Sequence, residues 1–280
     1  MSFLRFLDPV ANAGAFGDAA GLAIRHRGLV VAMTQRELTD RYTGQLLGAA
    51  WAIISPLLTM LIYVLVFSFI FRGRLGEVEN PAAFTAYALA GLAPWVAFGE
   101  GVSRTVGAVS GNANLVKQIV FPLEVLPLKV VLATFPTLAI GLLIAAGAAY
   151  AGGLLDPWRL LVQLPVAMAS YFVFLAGLGF FLAAFGVFVR DLKDVIAFIL
   201  GVGMFLNPII YPPGAAPGWL AGSFAFNPVA NMIYCFHDAI VGPVDIGHHG
   251  WIVFPLTAVV TFALGWRTFR ALKPGFGNAL

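Results

Sequence analysis

Charge is scarce in this chain. Of 280 residues only 16 are Lys or Arg and 13 are Asp or Glu, 10% together, while 60% are hydrophobic. A soluble domain carries about 25% charged residues, so this chain cannot clothe a water-facing surface and bilayer must solvate much of it. That excludes a secreted domain, a cytosolic enzyme and a disordered tail. Mean hydropathy of +0.91 agrees. Cysteine is nearly absent as well, and the single Cys235 excludes an internal disulfide or a cysteine metal cluster. There is no G-x-x-x-x-G-K-[ST] and no Gly-Lys pair at all, so the chain carries no phosphate-cradling loop. Its apolar runs hold almost no carboxylate or histidine, groups that proton- and sodium-driven carriers keep near the midplane. Uphill movement by such a chain would draw on a separate subunit. No repeat of 20–50 residues shows, which weighs against an inverted-repeat carrier.

What is present is a series of uncharged stretches. Tyr42 to Phe71 is 30 residues without a charge, more than the ~20 a spanning helix needs, with Pro56 placed to kink it. Further stretches cover 81–99, 130–155, 160–189, 195 to about Tyr211 (stopped by Pro212 and Pro213) and about 251–266. Six spans put both termini on one side. Counting Lys and Arg gives 13 on the side of the termini and three (Arg72, Arg74, Arg159) on the other. The positive-inside rule therefore makes the termini cytosolic and 212–250 external. The net charge of +3 and pI near 9.2 follow membrane side rather than marking nucleic acid.

Residues 1–28 hold Arg5, Asp8, Asp18, Arg25 and Arg27 without an apolar run, so no cleaved signal peptide is expected. Residues 17–45 mix Arg25, Arg27, Arg36 and Arg41 with Leu22, Ile24, Val30 and Leu38, the makings of a basic, partly amphipathic helix on the membrane surface. The expected organisation is all-α. Residues 1–46 form a cytosolic tail and interface helix, 47–270 a six-span domain, and 271–280 a second tail. The six-span domain includes an inner segment at 112–128 and an outer segment at 212–250 with two short re-entrant helices.

Three segments stand out. The first is the approach to the first span, where Gly48 separates a surface helix from a membrane helix beginning at Trp51. The pattern Arg36-x5-Tyr42, Leu47-Gly48-x2-Trp51, Pro56-Leu57 and Tyr63-x3-Phe67 resembles the permease subunit of ABC-type polysaccharide and polyol-phosphate exporters, the O-antigen, capsule and teichoic-acid export family. The second, NANLVKQIVFPLEVLPL at 112–128, alternates apolar residues with Lys117, Gln118 and Glu124 and is broken by Pro122 and Pro127. It reads as a short amphipathic element suited to a groove on a partner, and it is similar to the family's loop that couples to the ATPase. The third combines NPIIYPP at 207–213 with FNPVANMIYCFHDAIVG at 226–242, apolar runs too short to cross a bilayer. The family has paired outer gate helices here, with a basic residue often near Ile-x2-Phe; this chain has His237.

The resemblance covers roughly 30–270 and implies an inner-membrane protein of a bacterium that exports lipid-linked polysaccharide as a homodimer. Two copies of an ABC-type ATPase would bind ATP and Mg, leaving no cofactor and no metal in this chain, no nucleic-acid partner and no catalysis of its own. Substrate entry falls to Arg36, Arg41, Tyr42, Leu47 and Gly48, with the two arginines placed to receive an anionic head group. ATPase coupling falls to Asn114, Leu115, Lys117, Phe121, Pro122 and Glu124. The outer gate falls to Asn207, Pro208, Tyr211, Asn227, Pro228 and His237. Capsule, teichoic-acid, lipo-oligosaccharide or drug export remains an alternative within the class, and an intramembrane enzyme outside it. Ser103 in GVSR lacks the rhomboid-type G-x-S-G signature, and Asp245, His248 and His249 read as a solvated outer loop rather than a zinc site.

Overall fold

A computed structural model describes residues 9–66, 69, 80–117, 121–211, 216–243 and 248–280, and every regular element among them is helical. Two N-terminal helices, α1 (Pro9–Arg25) and α2 (Arg27–Asp40), precede α3 (Trp51–Leu65) and α4 (Pro81–Thr105). The middle of the chain forms α5 (Ala113–Val116), α6 (Val125–Leu132), α7 (Phe135–Ala151) and α8 (Leu164–Phe185), the last entered through a wide helical turn at Arg159–Gln163. Then come α9 (Leu192–Leu206), α10 (Gly218–Phe224), α11 (Pro228–Ile240), α12 (Gly250–Leu272) and α13 (Phe276–Ala279).

Four helical runs among the described residues are long and apolar enough to cross a membrane: Pro81–Thr105, Val125–Ala151, Arg159–Phe185 and Gly250–Ala279. These match four of the six uncharged stretches, with shifted ends. The second stretch continues past residue 99 through Glu100 and Arg104, and the third begins before 130, so that Lys129 lies inside its first turns. Charged residues therefore do not mark the limits of these spans. They lie within the helices because they are paired there, the condition under which an ionised group persists at membrane depth. The first stretch appears as the shorter apolar helix α3, its far end falling outside the described residues. The fifth stops at Leu206 rather than near Tyr211: Asn207 is extended (φ −121°, ψ 151°), as a residue before proline prefers to be. Its 15 residues rise about 22 Å, short of a ~30 Å hydrocarbon core. Pro212 and Pro213 lie outside the described residues.

Between helices in lipid there is little hydrophobic drive, so association depends on close van der Waals approach. The tightest crossing joins α8 to α12. A Cβ on Gly177 would meet Phe262 Cα at 2.5 Å, and one on Gly265 would collide with the Gly177 carbonyl. Only hydrogen allows these backbones to touch. Around the crossing Phe180 meets Trp266 and Phe269 edge-on, at 5.0 and 5.5 Å between ring centroids. On the other side α7 packs along α4, and α3 joins them through the fully buried Met60. By contrast α9 packs mainly on α4 and buries none of its residues.

The chain's loops sort to two ends. At one end α1 meets α12 through Asp18 and Arg270 (2.6 Å), and Glu124 meets Lys273 (2.8 Å). The N-terminal helices, the 112–128 segment and the C-terminal helices therefore share that end. At the other, Asn80 caps α4 by accepting from the Ala82 and Ala83 amides (3.1 Å each), and its Nδ2 donates to the Gly152 carbonyl at the end of α7. Segments α10 and α11 belong to this second end, with α11 inserted against α4, α8 and α12.

Candidate functional site

The first end is a joint of charges. Glu37, on the last turn of α2, has Oε2 3.0 Å from Lys129 Nζ of α6 and Oε1 3.5 Å from Arg104 Nη1 of α4. Arg41, just beyond α2, donates through Nη1 to Glu100 of α4, whose other oxygen accepts from the Thr137 hydroxyl of α7 (2.8 Å). The network thus sews α2 to α4 and to the run that α6 and α7 form together. Its Arg41 side chain is only 4% exposed.

That separates two residues grouped together from the sequence. Arg36 has a side chain 74% exposed and holds only Asp40, at 3.2 Å within its own helix. It lines an open polar cleft of about 370 Å³ between α2 and the 110–115 turn, shared with Asp40, Ser110, Asn112, Asn114 and Lys129. Arg41, expected beside it as a receiver of anions, is instead buried and engaged by a carboxylate, so in this structure it is not open to a head group. Tyr42 is half-buried in the following turn and Leu47 is exposed. Gly48 has φ +49° at the start of a tight turn (Gly48–Ala50) leading into α3. No neighbour lies within 4 Å of its Cβ position. Glycine is therefore needed there for the left-handed backbone, not for space.

The 112–128 segment is less regular than one broken helix. A short α5 (Ala113–Val116) carries exposed Asn114 and half-buried Leu115 and is followed by exposed Lys117, and residues 118–120 lie outside the described residues. Phe121 and Pro122 are half-buried. Glu124 is buried, both its oxygens taken by Lys273 Nζ at 2.8 and 2.9 Å. Asn114 and Lys117 are exposed, although Lys117 Nζ donates to the Leu280 carbonyl (3.3 Å), and Glu124 anchors the segment to the C-terminal helices more firmly.

The second end is a lock of amides and rings. Asn207 Oδ1 accepts from Asn227 Nδ2 (2.9 Å), and Asn227 Oδ1 caps α11 by accepting from the Val229 amide (2.9 Å), with Pro228 supplying the first helical turn. The Asn207 side chain also donates to the Gly203 carbonyl (2.7 Å), closing α9. The Tyr87 hydroxyl of α4 donates to the Tyr211 carbonyl (3.2 Å), and its ring stacks on His237 at 3.9 Å. His237 is buried with Nε2 unpartnered, seated over Gly91, where a Cβ would lie 2.7 Å from that nitrogen. All six gate residues named from the sequence fall at this end, with Asn207 bonded to Asn227, and Tyr211 and His237 meeting on Tyr87. Missed were Tyr87 and Gly91 opposite them, and Glu37, Glu100 and Arg104 at the other end. A signal existed for Asn80: Asn-Pro occurs at 80–81, 207–208 and 227–228, and the first and last open helices.

Asp245 lies outside the described residues. His248 Nε2 is 3.1 Å from Asp238, which also accepts from Trp251 Nε1 (2.8 Å), and His248 Nδ1 accepts from the Gly250 amide (3.2 Å). Both imidazole nitrogens are thus used in packing, and no group of three metal-binding side chains exists among the described residues. Ser103 is exposed near the end of α4.

The sequence model of the ABC-2 type transporter family matches residues 28–241. This chain belongs to that family. The match runs from the start of α2 to the end of α11, so it takes in both the charged joint and the amide lock. The chain is 32% identical over 213 residues (75% of it and 78% of the relative) to the O-antigen export system permease protein RfbA of Myxococcus xanthus. To a protein of the same name from Klebsiella pneumoniae it is 25% identical over 260 residues, 90% of this chain and 95% of the relative. The polysialic acid transport protein KpsM of Escherichia coli is 24% identical over 213 residues, 76% of this chain and 81% of the relative. An ABC-2 transporter chain with two differently built ends is thus the object to be explained.

Proposed function

We propose that this ABC-2 chain is the membrane subunit of an ATP-driven exporter that moves lipid-linked polysaccharide of the O-antigen type out of the bacterial cytosol. The observation that carries this is its likeness to O-antigen export permeases over as much as 90% of its length. The absence of a phosphate-cradling loop fits a permease whose ATP and Mg are bound by two copies of a separate ATPase. We take α3 and α9 as the remaining two spans, with both termini cytosolic as the 13-to-three count of Lys and Arg directs. Six spans hardly enclose a conduit for a polymer, so the working unit is a twofold homodimer.

In this reading the charged end faces the cytosol. The ATPase docks on exposed Asn114 and Lys117. Arg36, exposed in the cleft between α2 and the 110–115 turn, attracts the anionic head group at the inner leaflet, at about 1 kcal/mol for such a surface cation. Tyr42, Leu47 and the Gly48 turn form the rest of the entry. The amide lock around Asn207, Asn227 and His237 serves as the outer gate. Deleting the chain in its host tests the reading: surface polysaccharide should vanish while lipid-linked polymer accumulates inside, and re-expression should restore export. Unchanged surface polysaccharide would overturn it. Loss of capsule alone would transfer the reading to capsule export, which the likeness to the polysialic acid transport protein favours as the second reading.

A further inference from the structure

Glu37 is over-subscribed. Its two oxygens serve Lys129 at 3.0 Å and Arg104 at 3.5 Å, and Arg41 Nε stands 4.0 Å from Oε1, beyond hydrogen-bond reach. Arg41 meanwhile spends only Nη1, on Glu100; its Nε and Nη2 have no hydrogen-bond partner in a side chain 4% exposed. Those two nitrogens form the edge of a guanidinium that matches both oxygens of one carboxylate. A buried polar edge without a partner is costly, and the group that would satisfy it lies nearby, held away by Lys129. One carboxylate therefore has two seats, the occupied one on Lys129 and a vacant one on Arg41. Moving between them changes no net charge at membrane depth, so a bistable element of this kind exchanges one ion pair for another rather than creating or losing a charge.

The two seats sit on parts of the chain that differ in what moves them. Lys129 is on α6, which continues directly from the 112–128 segment. Arg41 grips Glu100, and Glu100 grips Thr137, so Arg41 belongs to the α4–α7 pair. Resting on the export reading above, we infer that Glu37 is the positioning residue that couples ATPase to permease. Displacement of the 112–128 segment pulls Lys129 away, Glu37 closes on the free edge of Arg41, and α2 shifts with it.

The test uses the whole exporter, permease with its ATPase in liposomes, and reads polymer translocated per ATP hydrolysed. Arg41→Lys keeps the charge for Glu100 but offers no planar edge. It should lower the ratio at least tenfold while the complex still assembles and hydrolyses ATP. Raising the concentration of lipid-linked polymer should not restore it, as it would if Arg41 bound the head group. Lys129→Gln, which removes the first seat, should lower the ratio similarly, and the double variant should be no worse than either single one, because both act on one step. A ratio within twofold of wild type for Arg41→Lys would overturn the inference, as would independent, multiplying losses in the double variant. If Lys129→Gln fails to assemble, Lys129→Arg supplies the comparison, with export retained expected because a cation still fills the first seat. Failure of the export reading itself would look different: wild-type protein would translocate no polymer.

Discussion

The two ends of this bundle solve the same problem with different chemistry. Each must tie short peripheral elements to long membrane helices. At the α2 end the ties are ionised: two carboxylates, Glu37 and Glu100, are shared among Arg41, Arg104, Lys129 and Thr137. At the α11 end they are neutral: Asn207 to Asn227, Tyr87 to the Tyr211 carbonyl, and His237 stacked over Tyr87. Charge pairs act over a longer range, whereas amide hydrogen bonds are short and directional.

The largest effect should come from removing the shared carboxylate. Glu37→Ala leaves three cations facing one another and should cost about 3–5 kcal/mol, the range for breaking a buried ion pair; a sharp fall in membrane-extracted protein and in melting temperature would show it. Equal stability of the variant would mean that the joint is not held by Glu37. Next, Gly91→Ala places a methyl 2.7 Å from His237 Nε2 and 2.6 Å from the Ile209 carbonyl. Overpacking of this kind costs about 1–3 kcal/mol. The damage should be confined to the α11 end, seen as faster hydrogen exchange in α11 with α2 unchanged. Asn227→Ala removes a helix cap and the Asn207 bond, a loss of about 1–2 kcal/mol by melting, and this loss should be insensitive to salt. Combining it with Glu37→Ala should give additive losses, since the sites share no partner; strong non-additivity would mean that the ends are coupled at rest. Smallest is Arg36→Gln, which breaks an exposed pair worth at most about 0.5 kcal/mol. Melting should not move, while export at limiting lipid-linked polymer should fall.

Much of this architecture can be read from where charge is missing. The gaps between Lys129 and Asp156 and between Arg159 and Arg190 became helical runs Val125–Ala151 and Arg159–Phe185, because length and apolarity alone decide what a bilayer accepts. The ends of those runs could not be read, since a charge ends a span only when it has no partner, and the partners are remote. Glu100 meets Arg41 across 59 positions and Thr137 across 37. The same blindness grouped Arg41 with Arg36, identical in type and five residues apart, though folding buries one and exposes the other. The α11 end is more legible, because asparagine before proline has a local meaning, either closing a helix or opening one. Its counterpart on α4, Tyr87 and Gly91, carries no local mark: a tyrosine and a glycine in an apolar helix become special only when α11 arrives.

The glycine crossing of α8 and α12 sets an order of events during synthesis. Gly177 and Gly265 meet across almost ninety residues of chain, so until α12 has been made and released sideways into lipid, α8 presents a bare strip of backbone with nothing to fill it. Every earlier helix must wait in the bilayer beside that open strip. The last span is therefore the keystone of assembly, and a nascent chain interrupted before Gly250 would offer quality-control proteases an unfinished groove rather than a stable intermediate.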